Sequence, residues 1–153
     1  MPGFSNCYVV DMAPQTGVRQ TRLLEGEYVM TKEDVMQRTR FADSVARGRD
    51  YYYPFRSLVP RGIDNLLVAG RHYSSTSAAQ KISREIPPCM AMGEAAGVAA
   101  ALSIDAGVPV RKVDVQAVQR TLRAQGADPG DQKGSNPDVP ALAQDRKLAE
   151  VAA

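Results

Sequence analysis

The residues able to do chemistry lie close together in the chain. A polar loop opens with Gly70-Arg71-His72, and a run of small residues follows it, from Ala91 through Ala101. Within that run Gly93 and Gly97 are four apart, so on a helix they share a face. A glycine inside a helix costs about 1 kcal/mol relative to alanine, so something must approach that backbone closely. Two readings fit. One is a helix packed tightly on a sheet; the other is a helix whose N-terminus meets a cofactor, where free N–H groups and the dipole favour negative charge. Cys89 sits near the helix start, a position that lowers a thiol pKa, but a buried small side chain accounts for it better and no flavin–thiol chemistry is expected. His72, Cys7 and Cys89 cannot supply the three or four closely spaced ligands of a zinc site, so no metal is expected.

These residues need elements to hold them. Asn65-Leu66-Leu67-Val68-Ala69-Gly70 reads as the clearest strand, an apolar run buried on both faces that stops at Gly70. The segment from Arg71 to Ser83 reads as loop. A helix then starts near Pro87 or Pro88, where a missing N–H is tolerated, continues through Ala101 and ends before Gly107. Asp114 caps a further amphipathic helix with Val115, Val118 and Leu122 at helical spacing and Gly126 as its stop. Upstream, Cys7–Val10 and Glu27–Met30 read as strands, with a turn over Ala13–Gly17 between them. Thr31 and Asp34 form a capping box for a helix to about Arg38. Phe41–Arg47 reads as a second helical piece ended by Gly48. Tyr51–Pro60 reads as extended chain confined by its prolines to an edge or to strand ends, and Arg61–Asp64 as a turn. From Asp128 to Pro140 the composition is that of a flexible linker, and Ala141–Ala153 could form a weak terminal helix.

Composition sets the outer limits. The chain has 153 residues, 44% of them hydrophobic and 24% charged, as expected of one ordinary globular domain. A net charge of +2, from 19 basic and 17 acidic side chains, is too even for a nucleic-acid or membrane-surface binder. The Ala-rich stretch from Ala95 to Ile104 is too short to cross a bilayer. The first residues show no basic region followed by an apolar run, so no signal peptide is expected. Two lone thiols suit a reducing cytoplasm.

Several separated blocks then agree with one family. Asn65–Arg71, Arg84 and Pro87–Leu102, with Ala13–Gln15, Gly17–Arg22, Gly26–Thr31 and Phe55–Pro60 upstream, resemble the carboxy-terminal portion of the FAD-dependent oxidoreductases. The likeness runs in order from about residue 3 to residue 127. It implies an α/β fold, the C-terminal part of a two-dinucleotide-binding-type flavoprotein that is incomplete without its N-terminal Rossmann portion. Residues 1–127 would form that part, and residues 128–153 a flexible tail.

The resemblance also implies roles. FAD is the implied cofactor, with Gly70, Arg71, Met92 and Gly93 on its flavin side. A reduced flavin carries negative charge near N1 and the C2 carbonyl oxygen, which a preorganised positive helix end would stabilise. Arg84 is expected to stabilise charge or anchor a substrate. Arg19 and Arg22 would line the substrate side, unless they hold the domain together by ion pairs. Beside a flavin His72 could take the proton that accompanies hydride transfer, or it could merely position Arg71 through a hydrogen bond. Tyr73 is a weaker candidate for the same task. Tyr51, Tyr52 and Tyr53 could wall an apolar substrate pocket or be ordinary packing.

One part of such an enzyme is not in this sequence. No strand is followed by Gly-x-Gly-x-x-Gly opening a helix, and no acidic residue is placed to hold an adenosine ribose. The chain is therefore expected not to hold FAD tightly alone, and to work with a separate FAD-binding chain or domain on a small-molecule substrate. A small subunit is favoured modestly by Met1 and the tail. A fragment of a longer enzyme, a relic of a split gene and a non-catalytic interaction module that keeps the fold are the alternatives.

Overall fold

The computed structural model describes residues 6–15 and 17–131. The terminal helix expected over 141–153 and the linker over 132–140 lie outside these residues, as do Met1–Ser5 and Thr16 of the expected turn. The described chain is a small mixed helix and strand unit, compatible with part of an α/β flavoprotein.

The first element is the short helix α1, Lys32–Met36, and its start follows the sequence. Asp34 N–H donates to Thr31 Oγ1 at 3.2 Å while the Asp34 carboxylate accepts from Thr31 N–H at 2.8 Å, the reciprocal pair of a capping box. The same carboxylate accepts from Tyr28 Oη at 2.9 Å, so the cap also ties down the chain before it. Cys7–Val10 and Glu27–Met30 do not form strands. The first is exposed and without regular structure, and the second makes only isolated bridges, Gly26 to Pro60 and Met30 to Ser75.

Phe41–Arg47 is not helical. Its second half is strand β1, Ser44–Arg47, paired antiparallel with β2, Tyr52–Pro54, with a bulge between Ser44 and Ala46. Pairing decides the matter. Gly48 N–H donates to the Tyr51 carbonyl at 2.8 Å to close the hairpin, and the Tyr51 ring fills the space that any Cβ at Gly48 would need. Ser44, Val45 and Ala46 are all buried, because two later helices, Ile86–Ala106 and Val115–Ala124, pack on the strand. Cross-strand pairing and burial override the weak local preference for helix.

Asn65–Gly70, the clearest strand by composition, is extended but forms no strand in the described chain. It makes a single ladder-like bond, Val68 N–H to the Leu58 carbonyl at 2.8 Å. A strand buried on both faces needs neighbours on both sides, and here Leu66 is exposed and Leu67 only half-buried.

Three helices complete the unit: α2, Ser77–Ile82, α3, Ile86–Ala106, and α4, Val115–Ala124. Helix α2 falls within the segment expected to be loop; Thr76 caps it, accepting from Ala79 N–H at 3.2 Å. Helix α3 ends at Gly107 with φ of 65°, the left-handed cap expected there. Asp114 accepts from Gln116 N–H at 2.9 Å to start α4, which buries Val118, Gln119 and Leu122. The core gathers Met30, Tyr53, Leu58, Tyr73, Met92 and Leu122. Asp128–Asp131, where the linker was expected to begin, pack on this body. Ser44 Oγ donates to the Pro129 carbonyl, Asp128 pairs with Arg47 and Asp131 with Arg123.

Helix α3 is apolar nearly all round. Pro88, Met92, Ala95, Ala99 and Ser103 form its buried stripe, packed on β1 and α4. At 100° per residue, Ile86, Met90, Gly93, Gly97, Ala101 and Ile104 fall on the opposite side, and all are exposed. Its 21 residues are long and apolar enough to cross a membrane by length and composition, longer than the Ala-rich stretch alone suggested, yet one face lies on the core.

Candidate functional site

The Gly70-Arg71-His72 turn is held in place mainly by its backbone. Gly70 has φ of 97°, a conformation that side chains rarely adopt, so glycine is required there for its torsion and not for space. The turn closes with Tyr73 N–H donating to the Gly70 carbonyl at 3.1 Å. Gln80 Nε2 donates to the Arg71 carbonyl at 3.2 Å, and Leu24 N–H to the His72 carbonyl at 3.0 Å. Ser74 is anchored on three sides, to Ser57 and Met30 through its backbone and to Gly26 N–H through Oγ. The side chains of Arg71 and His72 are left exposed on this fixed frame.

Two adjoining shallow grooves meet at Arg71. The first, about 190 Å³, runs along Val18–Leu23 and is closed by Arg71, His72 and Gln80. The second, about 410 Å³, lies at the start of α3 and is lined by Arg19, Arg71, Lys81, Arg84, Glu85, Ile86 and Pro87. Arg19, Arg22, Arg71, His72 and Arg84, drawn from distant parts of the sequence, thus share one surface, with Gly70 at the base of the turn. The ion pairs of the described residues lie elsewhere. Arg38, Arg47, Arg56, Arg61, Arg111, Arg120 and Arg123 each hold a carboxylate. Among the described residues no such pair forms for Arg19, Arg22, Arg71, Lys81 or Arg84. The one acid lining the grooves, Glu85, accepts from Tyr51 Oη.

The start of α3 differs from the reading made of it. Pro87 and Pro88 follow Ile86 and carry no N–H, and Cys89 N–H already donates to the Glu85 carbonyl at 3.3 Å. Ile86 is the only amide donor among the first three helical residues. An anion at this end would therefore meet guanidinium and ammonium groups rather than a nest of amides. Cys89 keeps to its reading as a small packed side chain: burial pushes its thiol pKa up, against the opposing influence of Arg71, so the helix start does not make it a reactive thiolate.

Three expected site residues, Met92, Gly93 and Tyr53, lie apart from the grooves. Met92 is 0% exposed, packed into the core on the face of α3 away from Gly97. Tyr53 is also wholly buried, so it walls no pocket. Its ring stacks edge-on with Tyr51 at 5.7 Å and with Tyr73 at 5.0 Å, and its hydroxyl donates to the Ser83 carbonyl. Tyr73 is buried too and bonds the Ser83 hydroxyl, which takes it out of contention as a proton carrier. This tyrosine cluster is what fixes the α2–α3 junction behind the grooves. Gln80 and Lys81 were not foreseen, because Arg71–Ser83 reads as loop; Thr76 before Ser77-Ala78-Ala79 was the capping signal that could have revealed α2.

The three core tyrosines and half-buried Tyr28 carry a pH signature. Burial is the leading cause that raises the pKa of Tyr28, Tyr51, Tyr53 and Tyr73 above the ordinary 10.0, with Tyr28 pushed up to about 12. The stability they contribute is fully present below pH 10 and is lost as pH rises through the folded-state values, because the unfolded chain releases those protons first. Each tyrosine held protonated adds a slope of about 1.4 kcal/mol per pH unit above pH 10. Urea midpoints should be flat from pH 8 to 9.5 and fall steeply beyond, and Tyr53→Phe should make the fall shallower. An unchanged midpoint at pH 11 would show that these hydroxyls ionise freely.

The helix that follows the turn presents its glycines to open space. Nothing lies within 4 Å of where a Cβ would stand at Gly93 or Gly97. Beside them Ile86, Met90 and Ile104 are 65%, 70% and 78% exposed. The close approach that two helix glycines call for does not come from within the described chain. Comparison with curated proteins and with solved structures found no match. The sequence model of the family described as FAD dependent oxidoreductase matches residues 1–50 and 47–122, a span that takes in the grooves, the turn and all of α3. The chain belongs to the FAD dependent oxidoreductase family.

Proposed function

We propose that this chain supplies the flavin-ring side of a flavin-dependent oxidoreductase and part of its substrate site. It acts in the cytoplasm with a separate FAD-binding chain or domain of the two-dinucleotide-binding type. What carries the reading is the bare glycine face of α3. A helix backbone uncovered at Gly93 and Gly97 and flanked by exposed Ile86, Met90 and Ile104 is a surface on which a flat ring and an apolar partner can lie.

The residues fit one end of FAD and not the other. Arg71 and Arg84, which pair with no carboxylate among the described residues, suit the anionic reduced ring, while the Gly-rich turn for the pyrophosphate has no counterpart in the sequence. Bound FAD would supply the two-electron acceptor. This chain's own work is to hold Arg71 and His72 rigidly through Gly70, Gln80 and Leu24, and to keep positive charge at the start of α3. His72, exposed in the first groove, is the group placed to accept a substrate proton.

Co-expression with the FAD-binding counterpart should yield a complex with flavin absorbance, in which His72→Ala slows substrate-driven flavin reduction at nearly unchanged flavin content. A purified chain that is a stable monomer and binds FAD alone with submicromolar affinity would overturn the divided-site reading.

A further inference from the structure

The segment Leu66–Ala69 has the composition of a strand and lacks the neighbours of one. Among the described residues only one of its backbone groups is bonded, Val68 N–H to the Leu58 carbonyl at 2.8 Å. Along a strand the backbone groups of successive residues point to opposite edges, so Val68 faces Leu58 while Leu67 and Ala69 face the open edge. The side chains alternate between the two faces as well. Leu67 and Ala69 pack against this chain's own core, whereas Leu66, on the other face, is 44% exposed. An edge and a face are thus both open on a run of Leu, Leu, Val and Ala. A row of unpaired N–H and C=O groups accepts only another extended chain in register.

The topology says which kind of chain. Continuous apolar runs belong to parallel sheets with both faces covered, and parallel neighbours are joined through a crossover helix. Here the run is followed by α2 and α3, but after α3 the described residues contain no further strand. The first strand and the helix of a crossover unit are present, and the returning strand must come from elsewhere. Helix α3 asks for the same cover, since Ile86, Met90 and Ile104 stand exposed opposite its buried stripe. A helix that is apolar all round is ordinarily enclosed.

We infer that Leu66–Ala69 is added as a parallel strand to the open edge of an apolar β-sheet in the partner protein, which bonds the backbone of Leu67 and Ala69 and covers Leu66. The inference rests on the proposed function only for the owner of that sheet, the separate FAD-binding chain or domain. A second copy of this chain fits less well. Two copies of one edge meeting about a two-fold axis run antiparallel and bring no further layer to cover Leu66.

Amide hydrogen exchange, resolved by residue, tests this on the full chain alone and in complex with the co-expressed FAD-binding counterpart. Leu67 and Ala69 should exchange about a hundredfold or more slowly in the complex than in the chain alone. Leu66→Lys, at an exposed position, should leave the chain folded and weaken assembly at least tenfold. A complex that holds flavin while Leu67 and Ala69 exchange as fast as in the chain alone would overturn the strand and leave the proposed function standing. A complex that protects both amides but carries no flavin would sink the flavin reading and leave the strand standing. Protection in the chain alone that grows with its concentration would put a second copy on this edge and overturn the inference, as would failure of the two proteins to associate.

Discussion

Gly93→Leu is expected to remove most of the flavin from the assembled enzyme while leaving this chain at least as stable as before. The two effects separate because nothing within the described chain touches that position. A leucine there meets open space, and replacing glycine in a helix interior gains roughly 0.5–1 kcal/mol of helix stability. Under the proposed function the same side chain stands where the ring or its protein partner must reach the backbone. We expect flavin content in the co-purified complex to fall at least tenfold, read from visible absorbance per protein, while the urea midpoint of the chain alone rises. Gly97→Leu should act in the same direction. If Gly93→Leu keeps its flavin and still assembles, the small face of α3 serves only to face water, and the divided site lies elsewhere.

Tyr53→Ala should be the most damaging single change to the fold itself. The ring is wholly buried, contacts Tyr51 and Tyr73 edge-on, and holds the Ser83 carbonyl through its hydroxyl. Truncating a buried aromatic to alanine costs about 3–5 kcal/mol, against a total of roughly 5–15 kcal/mol for a typical domain. Urea unfolding followed by circular dichroism should show a large fall in midpoint. Tyr53→Phe, which keeps the ring and loses one hydrogen bond, should cost only about 1 kcal/mol. A Tyr53→Ala variant within about 0.5 kcal/mol of the parent would mean that the ring is no part of the core.

What the sequence determined by itself is local. Thr31 with Asp34, Gly107 and Asp114 mark helix ends because caps are satisfied by side chains and torsions within a few residues. The pairing of Gly93 with Gly97 on one face is likewise fixed by helical periodicity. The family, too, was legible in blocks of residues spread along the chain. Tertiary structure decided everything that depends on distant neighbours. Phe41–Arg47 became strand because Tyr51–Pro54 returns beside it, and Asn65–Gly70 is no strand because the described chain brings it only Leu58. Met92 and Tyr53 went to the core because β1, α3 and α4 close over them, which no spacing along the chain reveals. The gathering of Arg19, Arg71 and Arg84 around one groove, with Gln80 left unsatisfied beside it, belongs to the same class. Charge in a sequence says how many cations there are; only packing says which of them are left without a partner.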